Sequence, residues 1–411
     1  MKTLAVLLVL AASIAIYQGV KHAALGQQQA RADTTGQPNA GENGTGAARL
    51  AAEGKAPPII PAFQGGGPLR GVAEPIAPPP YVVRWQMKTG TEDSRAAIEN
   101  SPTIAGNTAY VADGKGTLYA LNLSDGGARW TYKTEAGFAT TPLVLNNRVY
   151  LGDLEGILHC ISADKGEKIW VFDSGGGIHS SPNVTPDGKM ILFGNDSAQV
   201  FAVDAQSGKK IWEGAGGDRI NACPAIGHGA AFFTGCDARL LALNLKDGTE
   251  KFATDLGGLA PGSPTVLDDG IVAATGEGTV LAFSSDGKKQ LWKYEEVDQQ
   301  SAMFYSSPAA AEGLIVIGCR DRQVHAIDAK TGKRAWAFKT KGDVDATAVI
   351  SDGRVYIPSA DKMLYVLYLK TGQKLWEFKA GRAITAGAAI GGGAIVFGDS
   401  AGNVYCLEPK K

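Results

Sequence analysis

Residues 326–340 read AIDAKTGKRAWAFKT: a short apolar run, a Lys330-Thr331-Gly332 turn, and then Trp336 in an alternating tail. Run, tight turn and alternating run together are the signal of a β-hairpin with one buried face. The same unit recurs as LYALNLSDGGARWTY from Leu118, LHCISADKGEKIWVF from Leu158, VFAVDAQSGKKIWEG from Val200, LLALNLKDGTEKFAT from Leu240, VLAFSSDGKKQLWKY from Val280 and LYVLYLKTGQKLWEF from Leu364. Its aromatic residue falls at Trp130, Trp170, Trp212, Phe252, Trp292, Trp336 and Trp376, so the separations are 40, 42, 40, 40, 44 and 40 residues. A period that regular is the mark of stacked repeats, each too small to bury its faces alone.

A second marker keeps the same step. A small residue followed by Pro occurs at Ser101, Thr141, Ser181, Cys223, Ser263 and Ser307, and the series continues without Pro at Thr347 and Gly387. That makes eight starts, but the last unit stops at Lys411 before any turn or Trp. The missing strand stands at the other end, where YVVRWQM carries Trp85, 45 residues before Trp130. Each unit reads as four short strands separated by Gly-Asn, Asp-Gly and Thr-Gly turns, and radial repetition lets neighbouring units bury both faces of each sheet. The sequence therefore predicts an all-β fold: an eight-bladed β-propeller of four-stranded antiparallel blades, closed by the N-terminal strand completing the C-terminal blade.

Composition agrees with that fold and excludes several functions. The chain has 411 residues, 44% of them apolar, with 54 Gly. This supports a large core with many turns. The 40 Lys and Arg against 41 Asp and Glu leave no electrostatic footprint for nucleic acid. An apolar run from Leu4 to Ile16 follows Lys2, and small residues lead to Gly26, so residues 1–26 read as a signal peptide or signal anchor. No Cys precedes Cys160, which removes a lipid-acceptor cysteine. Residues 27–80 are rich in Ala, Gly, Gln and Pro and read as a flexible tether, leaving 81–411 for the propeller. The expected location is the periplasm or cell envelope, secreted or N-terminally membrane-anchored.

The pattern Ala326, Asp328, Thr331, Gly332, Trp336 resembles the tryptophan-docking repeat of the quinoprotein-type (PQQ-like) propeller family, over about residues 81–411. The resemblance implies one of two occupations: a PQQ- and calcium-dependent quinoprotein dehydrogenase, or a cofactor-free scaffold of the BamB-like branch, which serves outer-membrane protein assembly. The dehydrogenase branch implies adjacent cysteines beneath the quinone, whereas Cys160, Cys223, Cys236, Cys319 and Cys406 are never adjacent. The reading is thus a non-catalytic interaction scaffold that needs no cofactor, with envelope or membrane-associated proteins as partners and a monomeric propeller. A sensor or carrier for a small polar ligand in the axial channel stays open beside it.

Individual residues sharpen this. The eight docking aromatics, Trp85, Trp130, Trp170, Trp212, Phe252, Trp292, Trp336 and Trp376, are expected to cover a neighbouring blade's turn while the indole N–H finds a backbone carbonyl. Phe252 keeps the area and loses the donor, so its blade should dock less firmly. The small residues starting each unit belong on the innermost strands, where they either avoid collision or hold a polar ligand. Cys160 and Cys406 replace a small core residue, while Cys223 and Cys236 flank one hairpin and are candidates for a disulfide. Gly398 to Gly402 matches G-x-S-x-G, but a hairpin follows it where a hydrolase elbow needs a helix. The five histidines show no metal spacing.

Parity then identifies a face. The connections between blades share one face with the turns between second and third strands, opposite the Thr-Gly turns. Extra residues fall on that connecting-loop face, before Ser101 and before Ser307. Met303, Phe304 and Tyr305, with Arg320, Asp321 and Arg322 nearby, are the candidate partner-binding residues, since aromatics and Arg anchor protein interfaces. The alternative is that the aromatics cap their own blade.

Overall fold

The computed structural model describes residues 62–91, 94–295 and 302–411; the signal segment and most of the tether lie outside them. Blade 1 is built of Thr103–Ala105, Thr108–Ala112, Thr117–Asn122 and Ala128–Lys133, running outward from the axis. Blades 2 to 7 repeat this order, with blade 6 formed by Ala309–Ala311, Leu314–Cys319, Gln323–Asp328 and Arg334–Lys339. Blade 8 takes Ala389–Gly391, Ala394–Gly398 and Asn403–Pro409 from the C-terminus and Tyr81–Lys88 from the N-terminus. Tyr81 pairs with Pro409 and Lys88 with Asn403, so the ring closes by antiparallel pairing. Among the described residues, no helix is long and apolar enough to cross a membrane.

The core lies between blades. Val316, Val324 and Ala326 of blade 6, for example, pack with Ile350, Val355, Ile357 and Leu367 of blade 7. The closing junction is built the same way, with Trp85, Val404 and Cys406 of blade 8 against Ala109, Val111 and Leu121 of blade 1. A sheet that buries both faces reads as a near-continuous apolar run, which is why the second and third strands do so.

Indole N–H groups of Trp85, Trp130, Trp170, Trp212, Trp292 and Trp336 donate to carbonyls of Leu123, Ala163, Gln206, Leu245, Ala329 and Leu369 in the next blade, at 2.8–3.1 Å. Each ring lies on the turn glycine of that blade. At Gly372, which has φ +70, a Cβ would come within 2.5 Å of the Trp336 ring. Glycine is therefore required there both by the left-handed backbone and by the stacked indole. Phe252 covers Gly287 in the same manner, and the Thr254 hydroxyl donates to the Gly287 carbonyl at 3.1 Å, a different carbonyl from the one the indoles reach in the other blades. Trp376 faces the closing blade, where the third and fourth strands are not joined by a turn. There Tyr81 meets it edge-on, with ring centroids 5.1 Å apart.

One part of the domain reading needs correction. Residues 62–80, expected as the end of a flexible tether, are bound along the Thr-Gly face across the inner strands. The Gly67 N–H donates to Asn183 Oδ1 at 2.8 Å, and the carbonyls of Gly67, Pro68, Arg70 and Gly71 accept from Ile226, Val266, Ala310 and Ile350. Leu69 is fully buried with residues of blades 4 and 5. The Arg354 guanidinium holds the Ile76 carbonyl before the chain enters blade 8. Inner strands at a propeller axis leave backbone N–H groups without a sheet partner on one side, and this segment satisfies them.

Candidate functional site: the connecting-loop face and axial pocket

The six candidate residues do not form one patch. Phe304 is fully buried and meets His325 edge-on, with centroids 5.6 Å apart, so it caps its own blade. Asp321 turns inward, accepting from His325 Nε2 at 3.0 Å and from the Gln323 side chain at 2.8 Å. Arg322 takes the left-handed conformation of a tight turn, and its carbonyl accepts from Thr340. Arg322 is nevertheless exposed, and Met303, Tyr305 and Arg320 also reach the surface. Met303 is 39% exposed. The Arg320 guanidinium sits 3.7 Å from the centre of the half-buried Tyr305 ring and ion-pairs with Asp345 at 2.9 Å. Two N–H groups of Arg320 reach the carboxylate, Nε to Oδ1 and Nη2 to Oδ2, each at 2.9 Å. This geometry fixes a flat cation on an aromatic face before any partner arrives. Loop residues 296–301, part of the insertion that marked this face, lie outside the described residues.

Tyr305 also borders an axial pocket of about 170 Å³, together with Glu99, Asn100, His179, Asn221 and Asp345. Phe63 of the N-terminal segment forms part of its lining, so the chain that crosses the opposite face reaches the channel itself. Sequence reasoning missed Glu99, Asn100 and Asn221; their adjacency to the small-residue positions was the available signal. Asn100 donates to the Phe138 carbonyl at 3.2 Å, but its Oδ1 and that of Asn221 are buried without a hydrogen-bond partner among the described residues.

The innermost positions are crowded, a Cβ at Gly387 coming within 2.8 Å of the Ser101 hydroxyl, and their hydroxyls also join neighbouring blades. Ser181, Ser263, Ser307 and Thr347 accept the backbone N–H of Thr141, Cys223, Ser263 and Ser307, the equivalent residue one blade earlier, at 2.9–3.4 Å. They lace blades together around the axis. Cys223 is buried and Cys236 exposed, and all five cysteines are unbridged. Burial pushes the Cys160 thiol up to about 11 and the Cys406 thiol up to about 12. Gly398 to Gly402 forms a turn between strands in which Asp399 Oδ1 accepts from Ala401 and Asn403, so Ser400 stands on no nucleophile elbow.

A quinone cofactor does not fit the axial residues. The pocket falls below the roughly 300–1,000 Å³ typical of small-molecule sites. Its charged lining is Glu99 and Asp345 without Lys or Arg, which opposes a polycarboxylate ligand.

Comparison with known proteins adds the following. The family model described as outer membrane protein assembly factor BamB matches residues 82–222, 214–311 and 290–411. The chain is 32% identical over 290 residues to outer membrane protein assembly factor BamB of Salmonella typhimurium, covering 65% of this chain and 71% of that protein. The crystal structure of BamB from Moraxella catarrhalis superposes with a TM-score of 0.65 at 18% identity, over 81% of this chain and 98% of that one. The quinohemoprotein alcohol dehydrogenase ADHIIG from Pseudomonas putida HK5 shares the fold, with a TM-score of 0.72 at 14% identity over 89% and 82% of the two chains.

Proposed function

The chain belongs to the PQQ-repeat propeller family of outer membrane protein assembly factor BamB, and on that premise we propose that it is a non-catalytic scaffold of the cell envelope. Its partners are envelope or membrane-associated proteins, bound on the connecting-loop face, and its setting is outer-membrane protein assembly. The observation that carries this reading is the asymmetry of the two faces. Residues 62–76 occupy inner-strand positions on the Thr-Gly face. On the opposite face Met303 is exposed beside an Arg320–Tyr305 stack. A preordered aromatic and Arg pair with an adjacent exposed Met is the composition of an interface anchor.

Photo-crosslinking from position 303 in intact cell envelopes tests it. The expected result is a discrete envelope-protein adduct that disappears when Tyr305 and Arg320 are replaced by Ser. Adducts unchanged by those substitutions would remove this face as the binding surface. Unaltered dye reduction by the purified protein supplied with PQQ, calcium and alcohols is the companion result expected of a non-enzyme.

A second reading has its own support. The buried, unpaired Oδ1 atoms of Asn100 and Asn221 beside the axial pocket suit a small donor-rich ligand. A thermal-shift screen of polyols and amines would reveal it, since a ligand selective for the folded state raises the melting temperature. No shift in the wild type beyond that of an Asn100→Leu variant would end this reading.

A further inference from the structure

We propose that Cys319, Asp321 and His325 form a zinc site at the turn joining the second and third strands of blade 6. Their donor atoms all lie within 4.8 Å of one another. Zn–N and Zn–O bonds of about 2.0–2.2 Å and a Zn–S bond of about 2.3 Å place tetrahedral donors roughly 3.3–3.8 Å apart. His325 Nε2 and Asp321 Oδ2 are at 3.0 Å, so these two donors need to part by only a few tenths of an ångström to reach the spacing of metal ligands. A thiolate, an imidazole and one carboxylate select zinc over the hard cations calcium and magnesium. Three protein ligands leave the fourth position to water.

The supporting contacts match those of a metal site. His325 Nδ1 lies 3.0 Å from the Tyr294 hydroxyl, so with Nε2 on the metal the ring N–H donates to that oxygen. The Gln323 N–H holds Asp321 Oδ1 at 2.9 Å, leaving Oδ2 directed at His325. Partners of this kind fix the tautomer and orientation of metal ligands. On binding, the thiol S–H bond breaks, an S–Zn bond forms and the proton leaves to solvent.

Blade 2 provides an internal comparison. Asp153, His159 and Tyr132 form the same hydrogen-bonded series, at 2.8 and 3.1 Å, with no thiol beside it. In strand register, Asp153 itself occupies the place that Cys319 takes in blade 6. A purely structural role explains the blade 2 series, while the thiol of blade 6 adds a third donor. The Arg320 N–H donates to the Met303 carbonyl at 3.0 Å, so a metal bound between Cys319 and Asp321 would brace the segment that presents Met303 and Tyr305.

Zinc analysis of the full chain, stripped with EDTA and then given equimolar zinc and desalted, should return one equivalent per chain. Cobalt in place of zinc should give a thiolate-to-cobalt charge-transfer band. Cys319→Ser should abolish the band and lower retained zinc at least tenfold, while Cys236→Ser leaves both unchanged. Asp321→Asn gives the same zinc reading if Cys319→Ser fails to fold. No retained zinc in the wild type, or retention equal to the wild type in both site variants, would overturn the proposal.

Discussion

Trp336 donates its indole N–H to the Leu369 carbonyl of the next blade at 2.8 Å while its ring lies over Gly372 of the same turn. The two contacts divide the docking energy into a polar and a packing part. Trp336→Phe keeps the stack and leaves a carbonyl unpaired, an expected loss of about 1 kcal/mol. Gly372→Ala places a methyl into the indole on a left-handed backbone and should cost more than about 1–2 kcal/mol. Gly393→Ala, at the same φ of +70 with no atom within 4 Å of the new Cβ, isolates the backbone part. Urea unfolding of the three variants measures the difference.

Leu69 belongs to the core of blades 4 and 5 although it precedes the first blade strand. Leu69→Ala should destabilise the propeller by about 2–5 kcal/mol, as for any fully buried Leu. Leu259→Ala, 36% exposed, should stay within about 0.5 kcal/mol. Equal small effects from both would show that residues 62–76 do not contribute to folding stability.

Burial alone would raise the Asp153 carboxyl, but hydrogen bonds from His159 and the Ile157 N–H outweigh it and hold the group below the usual carboxylate range. A folded pKa below the unfolded one gives stability that is present above the unfolded value, near about 3.9, and lost as pH falls through the folded value. Asp153→Asn should therefore be less stable than wild type at neutral pH, with the gap closing below about pH 4. Chemical denaturation at several pH values checks the sign.

Cys236 is exposed and the other four cysteines are buried. Ellman's reagent should label one thiol in the native protein and all five after unfolding. Burial raises the Cys236 thiol above its ordinary value, with Asp218 adding to the shift, so labelling should be slow at neutral pH and accelerate above pH 8.5. Fewer than five thiols in the unfolded, unreduced protein would reveal a disulfide.

Arg320 and Asp345 are about one-third exposed, which limits their mutual stabilisation to roughly 0–1 kcal/mol. Arg320→Ala should thus leave the melting temperature within about 2 °C of wild type. Its effect should appear in partner crosslinking, where adduct yield falls.

Much of this was legible along the chain because it rests on local chemistry. The aromatic spacing, the Thr331-Gly332 type of turn and strand alternation are set by neighbours a few residues apart, and together they give the blade count, the antiparallel order and the closing strand that carries Trp85. The candidate site was legible only as a face. Whether Phe304 points outward or inward depends on His325 of blade 6 and Tyr294 of blade 5, which meet it only after folding, and Asp321 turned inward for the same reason. Residues 62–76 gave no periodic signal, because they pair with backbone groups of strands that lie more than a hundred residues away. What the sequence determined by itself was a closed ring of eight four-stranded units. The tertiary structure alone decided which face the chain's own N-terminal segment covers, and which side chains remain at the surface for a partner. Burial and inter-blade hydrogen bonds belong to the assembled ring and to no single repeat.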